Sequence, residues 1–348
     1  MSCVKSPARH SGECPVSDGR QPGVRPVGGF FALELPASRG AYHDERLALT
    51  SGRACLRRIV ATLKPARVLA PFYICDTVLQ AFQHEGIPVE FYDLDASLDP
   101  RLTGDGSTSD LMLYVNYFGL KTAEIPGLMA TRRERLVVDD TQAFFERGHD
   151  GAWAFNSARK WFGVPDGAYA YGGDLGLEQA PASGPPMSDH LLTALTGNRP
   201  LAFEQYRQSE AAVSDRFVAM SSLGARLLAG IDYAAVRRAR GRNFQALHER
   251  LGAYNRLPAA LLERASAAWV TPFCYPLLTD TAVPWTELWN RGAFVPRLWP
   301  EVQQRDGAAA HPTSTRLAER LMALPIDHRY GADDMSQLAD RLMEIMAW

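Results

Sequence analysis

The stretch Leu111-Met112-Leu113-Tyr114-Val115 places five apolar residues in a row with no polar alternation. A strand with one face in water alternates, whereas an unbroken apolar run of this length reads as a strand buried on both faces. Such a strand needs a covering layer on each side, so the run predicts a sheet sandwiched between helices. The neighbouring segments repeat the theme. Val68–Ala70 reads as a strand, Thr77–Gln83 as a helix, Val89–Tyr92 as a strand, Ile125–Arg133 as a helix and Leu136–Asp139 as the next strand. Strands alternating with helices predict an α/β fold with a mostly parallel sheet. Ligands of such sheets bind beyond the carboxyl ends of the strands. Asn116, Tyr117, Asp139 and Asp140 fall there.

The chain of 348 residues has room for a large and a small domain. Residues 1–28 are rich in Ser, Gly, Pro, Arg and Cys without apolar periodicity. They read as a flexible N-terminal tail, or as an arm onto a partner subunit. Residues 29–231 read as the large domain and 232–348 as a smaller C-terminal α/β domain. Ser51-Gly52-Arg53 opens a helix through Leu56, Ile59, Val60 and Leu63, with Ser51 as its N-cap. Residues 178–187 hold three prolines and read as a loop. A long helical region is predicted from Ser209 to Leu251, interrupted at Gly230-Ile231-Asp232. Beyond it the pattern predicts a strand over Trp269–Leu278 and helices over Thr315–Ala323 and Asp334–Met346.

Hydrophobic residues at 46% and charged residues at 22% place the chain among globular enzymes and away from disorder. A net charge of −2 leaves no footprint for nucleic acid. The pairs Arg132-Arg133 and Arg237-Arg238 sit in helical patterns and read as solvated faces. No apolar run is long enough to cross a bilayer, and the N-terminus lacks the hydrophobic core of a signal peptide. No membrane role and a cytoplasmic location are therefore expected. Cys3, Cys14, Cys55, Cys75 and Cys274 are odd in number and lack metal-like spacing, which fits a reducing compartment. The eight histidines form no ligand cluster, so no metal is expected. No Gly-x-Gly-x-x-Gly follows a strand and no Walker-type loop occurs, which disfavours nicotinamide dehydrogenases and phosphate-loop NTPases.

Chemistry concentrates in two neighbouring segments. Val137-Val138-Asp139-Asp140-Thr141-Gln142 is a buried strand ending in a carboxylate. Phe155-Asn156-Ser157-Ala158-Arg159-Lys160 ends in a lysine and leads into the Gly-rich turn 163–168. An acid at one strand end and a lysine after the next suit a pyridoxal 5'-phosphate (PLP) site. There the amine holds the cofactor aldehyde as a Schiff base, and the carboxylate keeps the pyridine nitrogen protonated. Asp139 continues the strand directly and is the better pyridine partner than Asp140, which begins the turn; either could instead cap that turn. Lys160 precedes Trp161-Phe162, surroundings that would desolvate an amine and lower its pKa. The alternative is that Arg159 and Lys160 are an exposed basic pair.

Ser51-Gly52-Arg53 at a helix start is a candidate phosphate site, with Gly52 allowing close approach to the backbone. Ser157 is a second candidate phosphate contact. Gln142 either bonds a ring substituent of the cofactor or satisfies local backbone. Tyr73 either stacks on the cofactor ring or is a core aromatic. Asp327-His328-Arg329-Tyr330 is a substrate-facing turn or a well-bonded loop.

Together these residues resemble the DegT/StrS-like family of PLP-dependent aminotransferases, of fold type I with aspartate aminotransferase-like architecture, as a divergent branch. Leu49–Ala54 is similar to the family's phosphate-loop helix start, and Val68–Tyr73 to its next strand and turn. Val137–Ala143 resembles the strand carrying an Asp with a Gln three residues on. Ser157–Gly167 resembles the segment of the Schiff-base lysine, and Leu324–Asp327 the closing strand of the small domain. The resemblance implies a homodimer with the cofactor near the subunit interface. It implies an amino-acid donor, glutamate or glutamine, and an oxo-sugar or other small oxo compound as acceptor. Lys160 would then hold the cofactor and shuttle the proton, Asp139 would keep the ring an electron sink, and Ser51-Gly52 with Ser157 would hold the phosphate. Residues 203–207 do not match the Asn-rich, Arg-containing segment of the nucleotide-sugar enzymes. A dehydratase, decarboxylase or condensing enzyme of the same fold, and a non-catalytic relative, are the alternatives.

Overall fold

Short apolar runs give this chain a central sheet, with helices supplied by the amphipathic stretches between them. The computed structural model describes residues 31, 33–43, 47–102, 110–176 and 180–348. The chain divides into two units, 1–35 and 36–348. The expected tail 1–28 lies outside the described residues, and the following concerns the second unit.

The main sheet comprises β1 (Leu47–Leu49), β2 (Val68–Pro71), β3 (Val89–Leu94), β4 (Pro100–Arg101), β5 (Leu111–Val115), β6 (Leu136–Asp139), β7 (Trp153–Phe155) and β8 (Ala168–Tyr171). Its order is β1-β8-β7-β6-β5-β2-β3-β4. Strands β7, β6, β5, β2 and β3 run parallel to one another, while β8 runs against both β7 and β1, and β4 against β3. All residues of β2, β5, β6 and β8 are buried, as strands covered on both faces require. A second, two-stranded antiparallel sheet pairs β9 (Tyr275–Leu278) with β10 (Leu321–Leu324).

The helices in chain order are α1 (Gly52–Leu63), α2 (Asp76–His84), α3 (Ile125–Arg132), α4 (Asp189–Leu195), α5 (Arg199–Ala211), α6 (Ser222–Ala229), α7 (Tyr233–Leu251), α8 (Ala259–Glu263), α9 (Trp285–Asn290), α10 (Pro312–Arg320) and α11 (Ala332–Met346). Among the described residues no helix is long and apolar enough to cross a membrane.

Four expectations need correction. The helical region predicted from Ser209 is broken over 212–221, where the chain is drawn out beside β1. There the Thr50 amide donates to Val218 O, the Met220 amide to Ala48 O, and Leu49 bridges Ala219. The strand predicted over Trp269–Leu278 is only Tyr275–Leu278, since the approach to it bonds elsewhere, as Phe273 N does to Phe118 O. The helix predicted to Ala323 stops at Arg320, because the apolar Leu321–Leu324 pairs with β9 instead. Arg132 and Arg237 are also not parts of solvated faces. Arg132 is buried, and Arg237 donates to Thr271 Oγ1 at 2.9 Å and to the Ala268 and Trp269 carbonyls, leaving only Arg238 of its pair exposed. An arginine stem packs apolar surface while its fork answers carbonyls, so a basic pair need not face water.

The common strand direction fixes where function can sit. β1, β2, β5, β6 and β7 all end at one edge of the sheet. The segments that follow them there are 50–53, 72–75, 116–119, 140–142 and 156–160.

Candidate active site

β6 delivers the Asp139 carboxylate, buried, to the carboxyl edge of the sheet. The chain turns at once, and the Thr141 amide donates to Asp139 Oδ1 at 2.9 Å. Next to β6, β7 pairs Phe155 with Asp139 and runs on into a 3-10 turn, Ala158–Lys160. That turn brings Lys160 Nζ to donate to Thr141 Oγ1 at 3.2 Å. Acid and amine are therefore neighbours, linked through Thr141. Burial pushes the Asp139 carboxyl above the ordinary carboxylate range, opposed by the Lys160 charge and the Thr141 hydrogen bonds.

The expected desolvation of Lys160 does not occur. Lys160 is exposed in this chain, and its aromatic neighbours turn away from it. Trp161 is buried with Nε1 donating to Thr141 O at 3.0 Å, and Phe162 packs against Phe144. In a 3-10 turn consecutive side chains diverge by about a third of a revolution, so sequence neighbours do not share a face. Arg159 points elsewhere, into an ion pair with Glu210.

The start of α1 lies against this lysine turn. A Cβ on Gly52 would stand 3.1 Å from Asn156 O and 3.6 Å from Ser157 Cβ. Ser51 is the N-cap, its hydroxyl accepting from the Ala54 amide at 3.1 Å and donating to Ser214 O at 2.7 Å. That leaves the Gly52 and Arg53 amides, which a helix start cannot pair internally. Among the described residues the Ser157 hydroxyl makes no hydrogen bond, and Arg53 reaches Glu210 O at 3.4 Å.

For the residues with two sequence readings, the local structure favours the plain one. Gln142 Oε1 accepts from the Phe118 amide at 2.7 Å, supporting a residue held at φ 58°. Tyr73 is fully buried against Trp299, 4.6 Å between ring centroids, and Tyr117, 5.8 Å, as a core aromatic. Asp327 is held by Arg329, whose Nε donates at 2.6 Å and Nη2 at 3.0 Å, as in a well-bonded loop.

Other contacts at the site, and the groups His149, Arg305 and His311, were not legible in the sequence. Asp140 bonds His149 Nε2 at 2.8 Å and accepts from Asn116 Nδ2 at 2.9 Å, forming a buried cluster beside Asp139. From far along the chain, Arg305 donates to the Phe72 and Ile74 carbonyls and to Asp76, and His311 stacks on Phe72 at 4.1 Å. Thr141 lay within the acid motif and was within reach of inspection. Arg305 and His311 are more than 200 positions from their partners and carry no local signal.

No family model matches the sequence, and no curated protein matches it. Solved structures do. The sugar aminotransferase CalS13 from Micromonospora echinospora superposes with a TM-score of 0.60 at 14% identity, covering 86% of each chain. The aminotransferase TlmJ from Streptoalloteichus hindustanus gives 0.61 at 15%, over 86% of this chain and 85% of that one. This chain has the fold of the sugar aminotransferases. The putative sugar aminotransferase Spr1654 from Streptococcus pneumoniae, in its PMP form, gives 0.61 at 12% over 88% of both chains. The fold-type-I, α/β expectation is thereby met across nearly the whole length. At these identities the likeness is one of fold.

Proposed function

We propose that the protein is a PLP-dependent aminotransferase that moves an amino group from an amino-acid donor to an oxo-sugar or another small oxo compound. The observation that carries this reading is the Asp139–Thr141–Lys160 arrangement. Among the described residues Lys160 Nζ is tied to a neutral hydroxyl and makes no ion pair, so the amine is free to take up a carbonyl carbon. Asp139 waits buried beside it, where a protonated ring nitrogen would find its counter-charge. The free Ser157 hydroxyl and the first amides of α1 suit the phosphate end. When bound, PLP would supply an electron sink for the charge left on the substrate carbon.

In this reading Lys160 holds the cofactor and then carries the proton at Nζ. Asp139 keeps a proton on the ring nitrogen, and Thr141 keeps both groups in place. Ser51, through its capping of α1, and Gly52, Arg53 and Ser157 serve the phosphate, while Gln142 and Tyr73 shape the wall behind. The enzyme acts as a homodimer. Support for that comes from the exposed lysine and from α4 and α5, which follow the lysine segment and expose Leu192, Leu195, Leu201 and Phe203. The neighbours in fold named as sugar aminotransferases support an oxo-sugar acceptor.

The test is a visible absorbance titration of the purified protein with PLP, before and after L-glutamate, alongside Lys160→Ala. A lysine-bound cofactor band that glutamate bleaches in wild type, and that the variant never develops, is the expected outcome. No band in wild type would sink the reading.

A further inference from the structure

A second cavity, apart from the reactive pair, holds two opposite charges that no ion pair consumes. Its volume is about 300 Å3, and it lies between the turn joining β3 to β4 and the wall made by α10, the end of β9 and residues 256–257. The floor is apolar, formed by the buried Leu98, Leu257, Leu278 and Leu317. Asp95 from the turn and Arg316 from α10 line it above that floor.

Among the described residues Arg316 makes no hydrogen bond and no ion pair. Asp95 makes no ion pair either. Its Oδ1 accepts from the Ser97 amide at 2.8 Å and the Asp99 amide at 2.9 Å, which leaves Oδ2 free. Arg256, the other charge on the cavity, is met by Asp280, to which its Nε donates at 2.7 Å. One free cation and one free anion therefore face the same space without meeting each other.

The walls are fixed in advance. Asp93 on β3 accepts from the Thr313 amide at 3.1 Å, the Ser314 amide at 2.9 Å and the Ser314 hydroxyl at 2.7 Å, which pins the first turn of α10 to the sheet. With Pro312 in front, those bonds use up the donors of that helix start, so the Arg316 guanidinium one turn on is the cationic group left for a ligand. Leu98 is held at φ 64°, a backbone that leucine rarely adopts, with its amide donating to Asp95 O at 3.1 Å. This strained residue is one of the four that make the floor.

We propose that this cavity binds a small α-amino acid with an apolar side chain, carboxylate on Arg316, ammonium on Asp95 and side chain on the leucine floor. A plain carboxylate would leave Asp95 unanswered, and a plain amine would leave Arg316 so; a zwitterion answers both. The volume suits one such molecule, at the lower end of the about 300–1,000 Å3 usual for ligand cavities. In the sheet, β3 stands three strands from β6, about 14 Å, and no residue of the acid or lysine segments lines the cavity. Amino-acid binding here does not depend on the aminotransferase reading.

Calorimetric titration of the full-length protein, without added PLP, with L-leucine provides the test. Wild type is expected to bind L-leucine, and to bind 4-methylpentanoate (leucine without its amine) and 3-methylbutylamine (leucine without its carboxylate) roughly tenfold more weakly or worse. Arg316→Gln on the exposed side of α10 should weaken L-leucine by a similar factor, as should Asp95→Asn, which keeps an oxygen for the Ser97 and Asp99 amides. Equal affinity in wild type and either variant overturns the site, as does a wild type that binds no L-leucine. Binding of 4-methylpentanoate as tight as that of L-leucine overturns the zwitterion. An unchanged melting temperature certifies the fold of each variant. If Asp95→Asn fails to fold, Arg316→Gln and the two analogues carry the comparison. A wild-type protein that takes up no PLP would remove the aminotransferase reading, and the L-leucine comparison would still decide this cavity.

Discussion

Asp139 and Lys160 do not touch. Thr141 separates them, giving its amide to Asp139 Oδ1 at 2.9 Å and accepting from Lys160 Nζ at 3.2 Å. A direct ion pair would satisfy the two groups with each other. The intervening threonine keeps each in place while leaving the amine reactive.

Thr141→Val keeps the shape and the amide but removes the hydroxyl that accepts from Lys160 Nζ. Hydrogen bonds to charged groups are worth about 1.5–3 kcal/mol, so PLP affinity should fall roughly tenfold or more. A PLP titration of the variant checks this; wild-type affinity would show that Thr141 is a bystander.

His149 gives the fold a pH dependence. Burial, the largest single influence, disfavours its charged form, but the hydrogen-bonded Asp140 carboxylate together with Glu146 and Asp150 outweighs it and the net pKa is raised. A raised histidine contributes stability that is fully present below its unfolded pKa of about 6.5 and is lost as pH climbs through the folded value. The stability difference between wild type and His149→Gln should therefore be largest in mild acid and shrink above neutrality. Its size should sit at the low end of the about 3–5 kcal/mol for breaking a buried pair, because Asn116 still holds the other oxygen. Urea melts at a series of pH values would reveal it, and a pH-independent difference would remove the charge from the argument.

Gln142→Leu leaves the Phe118 amide buried without an acceptor. The expected cost is about 1–3 kcal/mol of stability with little change in PLP affinity. Should the variant melt like wild type yet lose PLP, Gln142 would be a cofactor ligand after all.

Tyr73→Phe removes a buried hydroxyl that has no partner. Such a group costs free energy in the folded state, so the variant should be as stable as wild type or more so, by up to about 1–3 kcal/mol. Thermal melts in the absence of PLP measure the difference directly, and a lower melting temperature would mean the hydroxyl has a role.

The parts legible in sequence were those with local causes. Leu111–Val115 and Leu136–Asp139 were read to the residue, because an unbroken apolar run stays buried whatever surrounds it. The Ser51 cap of α1 was equally local, a hydroxyl reaching an amide three residues on. The break at 212–221 was hidden, because the pull on that segment comes from β1. The exposure of Lys160 was hidden too, since adjacency to Trp161 and Phe162 says nothing about which way a 3-10 turn aims each side chain.

By itself the sequence determined the alternation of strands and helices, and with it the sheet edge where Asp139 and Lys160 must both arrive. Burial and hydrogen-bond periodicity act over a few residues, and a single chain displays them openly. Only the tertiary structure decided that Thr141 stands between that acid and that amine, that Arg305 and His311 reach back to Phe72, and that Asp95 and Arg316 line one cavity. Those outcomes depend on contacts between residues far apart in sequence, whose positions are set by packing of the whole core rather than by any local pattern.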